Sequence, residues 1–374
     1  MKSTAKVAKN APKSRPKTKP LAKSKSQPMA KSLPKTKAQI KAKSPSKAAP
    51  ASKTVPQATL VRTPITSLPV KLNWAGRVPQ ITPGTYSDGL PLHEVQYLSF
   101  KMMLRPNHFT SRDSLFSFAK VIQAPAKECG VGFSTAGFRS APLKIREVLF
   151  VDTPDFRLYN SSFILRRRIP YKDGFPVGDP EIVFKYRNAD IQTTAETDVR
   201  PQIYGDHRVK FKCQALPLKE KLGGIRMLYS HNVQFPRSAT GLTSKNFLEL
   251  DTLVEIFPVL ERIRREPGET IQLVNDAIIE EVLQDIGELD FGQGVKAKCD
   301  LGIWRTRGEH RPLIGEFSFQ IRFKDRKELA LEAMQRAEAF FVQLQFAAQK
   351  YIALQATKTG VVYRLLGNPP NSNE

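Results

Sequence analysis

Cysteine is scarce in this 374-residue chain: Cys129, Cys213 and Cys299 stand far apart and outside any Cys-x-x-Cys spacing. That excludes a disulfide framework and a thiolate zinc site, and it fits a reducing compartment, read here as the cytoplasm. No Gly-x-x-x-x-Gly-Lys-Ser/Thr loop, dinucleotide fingerprint, His-Glu-x-x-His helix or Ser-His-Asp arrangement is present, so the common nucleotide-binding and hydrolase signatures are missing. No apolar run approaches the roughly 18 residues of a membrane-spanning helix, and no secretory apolar segment follows Met1. A membrane partner is not expected.

Acidic residues are missing from the first sixth of the chain. Residues 1–60 hold 16 Lys/Arg and no Asp or Glu, whereas the remainder holds 43 basic against 35 acidic residues. This segment is Lys, Ala, Ser, Pro and Thr, with almost nothing to bury, so it is expected to be disordered. A polybasic tail of this kind attracts nucleic acid or polyphosphate by counterion release; a solubilising role is the alternative. Prolines at 12, 16, 20, 28 and 34 exclude one continuous amphipathic helix there. Residues 61–90 read as a Pro/Gly-rich linker in which Trp74 docks on the body. Residues 91–360 form the folded domain, and 361–374 a disordered C-terminus.

What is present is strand alternation. Phe150-Val151-Asp152-Thr153-Pro154-Asp155 is strand followed by turn chemistry. In the next run, Phe163, Leu165, Arg167 and Ile169 share one face, and Ile164, Arg166 and Arg168 the other. In Glu181–Arg187, Ile182, Phe184 and Tyr186 face one way, and Val183, Lys185 and Arg187 the other. Two successive strands thus carry cations on one face. Cations converging on one cavity suit a polyanion; an ordinary strand pair with a solvated basic face is the alternative on spacing alone.

These residues resemble the CYTH domain of the triphosphate-tunnel metalloenzyme superfamily, with its Tyr/Phe-x-Asp-Thr-Pro-Asp turn, Leu-Arg-x-Arg strand and later strand with an inward Lys. The turn is also distantly similar to that of polyphosphate-polymerase domains. The resemblance implies an α+β fold: a closed antiparallel β-barrel, or tunnel, with flanking helices. It implies triphosphate substrates held with a divalent metal, Mg²⁺ or Mn²⁺. It places phosphate contacts on Lys101, Arg166, Arg168, Lys185 and Arg187, with Arg226 a further candidate on a later strand.

This chain departs from the family on the metal side. The family's first strand reads Glu-x-Glu-x-Lys; here Tyr97 and Ser99 stand at the glutamate positions and Lys101 at the lysine. Its late Glu-x-Glu strand corresponds to Glu316 and Ser318. Hard divalent cations need several oxygen ligands. The expected metal residues are therefore Glu316 and, from a strand read over 192–200, Glu196. The neutralising role suits Glu196 and Asp198 better, since a basic interior needs counter-charges.

Further elements follow from spacing. Strands are expected over 92–104, 144–151, 209–215, 224–233, 294–304 and 315–324, and helices over 112–123 and 253–265. Ile271, Val274, Ile278, Val282 and Ile286 fall at helical intervals, which predicts an amphipathic helix over 270–286. Asp325-x-x-Glu328 predicts a capping box opening a long helix to about 356 that covers the barrel. Glu249, Asp251 and Glu255 suit a helix start better than a metal, and the lone His231 reads as structural.

Three functions stay open at this point. One is a tunnel domain that binds a phosphorylated small molecule, polyphosphate or RNA end with its metal glutamates largely lost. The second is a metal-dependent triphosphate hydrolase or phosphotransfer enzyme. The third is a nucleic-acid-associated protein working through its tail, with the barrel as scaffold.

Overall fold

The computed structural model describes residues 76–241 and 249–366. The expected tail, the linker up to residue 75 with Trp74, and residues 367–374 lie outside the described residues. Those described all belong to one compact unit, Thr66–Glu374.

The strands are β1 (Tyr97–Leu104), β2 (Gly132–Ser134), β3 (Lys144–Asp152), β4 (Phe163–Lys172), β5 (Phe175–Pro176), β6 (Glu181–Asn188), β7 (Arg208–Pro217), β8 (Ile225–Pro236), β9 (Gln272–Asp290), β10 (Lys296–Thr306) and β11 (Pro312–Arg322). Nine of them close a ring in the order β10-β11-β1-β7-β8-β6-β4-β3-β9, with β9 pairing back to β10. β2 and β5 lie outside the ring, on β9 and β4. The closed barrel expected from the sequence is present, with one difference: β1 and β7 run parallel, which makes the barrel mixed. Closure leaves no free edge, so every ring strand is hydrogen-bonded on both sides.

Strand alternation sorts side chains into outside and inside. Leu98, Phe100 and Met102 of β1 and Phe317, Phe319 and Ile321 of β11 point outward. They pack on α1 (Arg112–Glu128) and α5 (Leu331–Ala347) through Phe118, Ile122, Phe340, Phe341 and Leu344. Helix α1 begins at Ser111, whose hydroxyl accepts from Ser114 N while the Ser114 hydroxyl accepts from Ser111 N. A second outer cluster joins Phe163, Leu165, Ile182 and Phe184 to α4 (Leu250–Ile256) and Phe257; the Phe184 and Phe257 rings stack at 4.1 Å. Fully buried rings of this kind contribute about 1.5–3 kcal/mol each.

Inside, one end of the barrel is apolar. Val148 and Phe150 share Arg146's face of β3, and Ile164 shares Arg166's face of β4. They cluster with Tyr159 of α2 (Arg157–Asn160), with Met103, Trp304 and Ile314, and with Val362 and Tyr363 of α6 (Lys358–Tyr363). That plug closes one end of the tunnel. It also carries the packed body past the boundary expected at residue 360, since Val362 and Tyr363 are fully buried.

The sequence misleads in four places. The amphipathic helix expected over 270–286 is the long strand β9. Its period of two is broken twice. Leu273 and Ile278 face Val151 and Leu149, leaving four residues unpaired between them, and Asn275 and Asp276 turn through φ of 52° and 51°. A second shift skips Ile286 opposite Cys299 and Asp300. Those extra residues re-space the apolar positions and imitate a helical interval.

The strand expected over 192–200 is the short helix α3 (Ile191–Glu196), because Asp190 caps it, accepting from Thr193 N at 2.6 Å. The helix expected over 253–265 ends at Ile256; a 3-10 turn over Pro258–Arg262 follows, since Pro258 has no N–H to continue it. The capping box at Asp325 and Glu328 forms, but on a 3-10 turn, Arg326–Glu328. Helix α5 starts three residues later and stops at Ala347, where the chain bends back so that Ile352 bridges Leu104.

Candidate functional site

The polar interior above the plug is a cavity of about 260 Å³. It is lined by nine Lys or Arg side chains and three carboxylates, so it carries a large excess of positive charge. β4 contributes Arg166 and Arg168, β6 contributes Lys185 and Arg187, and β1 contributes Lys101, each from the inward face of its strand. Five of the expected phosphate contacts therefore meet in one place.

Arg226 does not join them: it lies in a separate small cleft with Pro217, Lys219 and Gln355. Glu196 is also outside. It ends α3 on the exterior and accepts from Gln192 at 2.9 Å, so it is corrected as a tunnel residue. Glu249 and Asp251 begin α4, where Asp251 pairs with Arg265 at 3.2 Å.

The cavity also contains residues outside the expected set. Lys210 and Lys212 of β7 point in beside Gln214, an alternation visible in Arg208-Val-Lys-Phe-Lys-Cys-Gln. Arg146 of β3, Asp300 of β10 and Glu281 of β9 complete the walls. Glu281 was hidden by the helical reading of its strand. Lys358 enters from α6, and no strand pattern could have revealed it.

The two walls differ electrostatically. On the β9–β11 side the carboxylates are engaged. Glu316 meets Lys358 at 2.9 Å and Lys101 at 3.5 Å. Glu281 meets Arg146 at 2.5 Å, Lys358 at 3.1 Å and Trp304 Nε1 at 2.9 Å. Burial alone would raise the Glu316 pKa, but Lys101 and Lys358 overcome it and hold it at about 2. Burial and the Asp285 carboxylate push Asp300 the other way, up to about 7.

On the opposite wall Arg168 pairs with Glu181, and the other cations crowd one another. Lys185 is 7% exposed, and among the described residues it forms no ion pair. Burial lowers its pKa well below the usual lysine range, and Arg187, Arg166, Lys101 and Lys212 add to the effect. Lys212, bonded to Gln320 at 2.9 Å, falls to about 7 through burial and then Lys101 and Lys210. Lys210, bonded to Gln234 at 2.7 Å, falls to about 8 through burial and Arg208. Arg166 is lowered to about 9 by burial and then Arg168. The Nε atoms of Arg166 and Arg168 are buried with no hydrogen-bond partner, although Arg168 also pairs with Glu181. Buried donors without acceptors cost about 1–3 kcal/mol each. An anion between these strands would supply the acceptors and the missing counter-charge.

A resident divalent metal does not fit. Tyr97, Ser99 and Lys101 share one face of β1, paired with Arg322, Gln320 and Ser318 of β11, so neutral or cationic side chains, and no carboxylate, stand at these positions. Among the described residues no three His, Cys, Asp or Glu groups gather as a metal site. The lone pairs of Glu281 and Glu316 are already directed at cations.

No protein-family model and no curated protein matches this chain. Solved structures do. A proposed adenylyl cyclase of Hippeastrum with a dominant triphosphatase activity is 11% identical over 74% of this chain and 100% of its own, with a TM-score of 0.36. Proposed adenylate cyclases of Bacillus halodurans and Vibrio parahaemolyticus are 10% and 11% identical. They match 71% and 72% of this chain and 95% and 98% of their own, both with a TM-score of 0.27. No described helix is long and apolar enough to cross a membrane.

Proposed function

We propose that the barrel binds a phosphorylated polyanion, a triphosphate, a short polyphosphate or the phosphates of a nucleotide or RNA end, in its blind basic cavity. Arg166, Arg168, Lys185 and Arg187 hold the anion, Lys101 and Lys212 flank it, and no Mg²⁺ or Mn²⁺ is resident. The single observation that carries this reading is the convergence of Arg166, Arg168, Lys185 and Arg187 on one cavity, in which the buried Lys185 forms no ion pair among the described residues. Burying an uncompensated charge is costly, and a bound oligophosphate offsets that cost. Guanidinium forks suit phosphate oxygens, and charge-assisted hydrogen bonds are the strong ones. The closed end favours a chain terminus over a threaded polymer. The basic segment 1–60 adds a sequence-independent contact to nucleic acid, separate from the cavity.

Hydrolysis remains the second reading, because cations placed around a phosphoryl group also stabilise its transfer; the engaged state of Glu281 and Glu316 weighs against it. The test is calorimetric titration of the full chain with tripolyphosphate in EDTA, followed by product analysis. Binding without turnover supports the proposal. Turnover that needs added metal would replace it with the second reading, and absence of binding would remove both.

A further inference from the structure

Lys358 is the first residue of α6, and its backbone is set by Thr357, whose hydroxyl accepts from Gly360 N at 2.9 Å. Its ammonium therefore reaches the cavity from a rigid helix start. There it lies 2.9 Å from Glu316 Oε1 and 3.1 Å from Glu281 Oε1, and 4.8 Å from the centre of the Trp304 ring. The second oxygens of the two carboxylates are used as well, Glu316 Oε2 by Lys101 and Glu281 Oε2 by Arg146. Glu281 and Glu316 come from β9 and β11, on either side of β10, opposite Trp304 and Gly302. They are 4% and 8% exposed. Two inward carboxylates one strand apart are what a divalent cation would bridge; here one primary amine bridges them. Burial opposes the charge on Lys358, but Glu316 and Glu281 outweigh it and raise its pKa.

We infer that Lys358 is a tethered counter-cation occupying the place of a divalent metal between Glu281 and Glu316, and that it makes anion binding in this cavity independent of metal. It is a specificity-determining residue, acting through the two glutamates. A one-plus charge that cannot leave replaces a two-plus ion that could. This fixes the acidic wall whatever the metal concentration and leaves Arg166, Lys185 and Lys212 for the ligand. The consequence for the ligand rests on the anion-binding reading; the exclusion of metal does not.

The experiment compares the full-length wild type with Lys358→Ser, which opens space and leaves a hydroxyl, and with Lys358→Met. Melting is recorded with and without millimolar Mn²⁺, and tripolyphosphate affinity is titrated in EDTA and in Mn²⁺. Chelation of the anion by Mn²⁺ is common to all proteins and cancels in the comparison. The wild type should show no Mn²⁺ stabilisation. In the Ser variant, Mn²⁺ should raise the melting temperature or tighten tripolyphosphate about tenfold relative to wild type, the range of ordinary site-to-site coupling. Adding Glu316→Gln to the Ser variant should abolish that gain.

A wild type that responds to Mn²⁺ as strongly as the variants, or variants that fold and gain no response, would overturn the inference. So would variants that fail to fold and are not recovered by refolding in Mn²⁺. Failure of the wild type to bind tripolyphosphate in EDTA would instead count against the anion reading and leave the Mn²⁺ comparison standing.

Discussion

The Tyr363 hydroxyl donates to Asp152 Oδ2 at 2.9 Å, joining the Asp-Thr-Pro-Asp turn to α6. Asp152 is 1% exposed and also accepts from Thr153 N at 2.7 Å, Leu158 N at 2.9 Å and Tyr159 N at 3.0 Å. The most conspicuous motif in the sequence thus anchors the plug of the tunnel and does not line the cavity. Asp152→Ala leaves several buried donors without an acceptor and should cost about 3–5 kcal/mol; Tyr363→Phe should cost about 1 kcal/mol. Urea unfolding measures both. A stable Asp152→Ala protein that loses only tripolyphosphate affinity would move this residue into the site.

Removing the cations should separate binding from folding. Arg166→Ala with Arg168→Ala deletes two charge-assisted contacts of about 1.5–3 kcal/mol each, so tripolyphosphate affinity should fall about a hundredfold or more while the unfolding midpoint moves little. Lys185→Met should weaken binding and raise the melting temperature, because folding holds this buried amine well below the usual lysine pKa, a cost that methionine does not carry. A Lys185→Met protein less stable than wild type would mean that the lysine is compensated in the fold.

The pH dependence follows from Lys212 and Lys210, lowered to about 7 and about 8. Their unfolded value lies near 10.4, so between the two the unfolded chain binds more protons. Stability of the ligand-free protein should therefore rise with pH above about 7. Anion affinity should change in the opposite sense, as the cations that receive the ligand discharge. Lys212→Arg stays charged, so its affinity should fall less than that of wild type between about pH 7 and 9. Glu316, held at about 2, works at the acid end: its contribution is complete above about pH 4.5 and is lost as pH falls toward 2. Parallel titrations of wild type and Lys212→Arg decide the first point, and melts across acid pH the second.

Much of this fold was legible because strands with one wet and one packed face announce themselves by a period of two. Spacing alone puts Arg166 with Arg168, and Lys185 with Arg187, on one face of each strand and leaves open whether that face is solvated; the structure puts all four around one cavity. The alternation of β1, with Tyr97, Ser99 and Lys101 on one face and Leu98, Phe100 and Met102 on the other, is also readable; its register against β11 comes from the structure. What failed was local. Irregular pairing in β9 disguised a strand as a helix and concealed Glu281. A single Asp cap turned the segment around Glu196 from strand into helix. Lys358 sits on a six-residue helix that closes the barrel, and its role depends on two strands far away in sequence, which no local pattern encodes.

The segment 1–60 should govern salt dependence rather than site affinity. With 16 basic and no acidic residues, its deletion should flatten the logarithmic salt slope of DNA binding, as counterion release requires, and leave tripolyphosphate titration at fixed salt unchanged. An unaltered slope would place the DNA contact elsewhere.

The most direct test of the central claim is a thermal melt of the full-length chain with tripolyphosphate, in EDTA and in Mg²⁺. Ligand bound only to the native state raises stability by about 2.7 kcal/mol at a hundredfold excess over Kd. A clear rise in EDTA, not enlarged by Mg²⁺, is the expected result. A rise seen only with Mg²⁺ would contradict metal-free binding, and no rise in either condition would contradict the anion cavity itself.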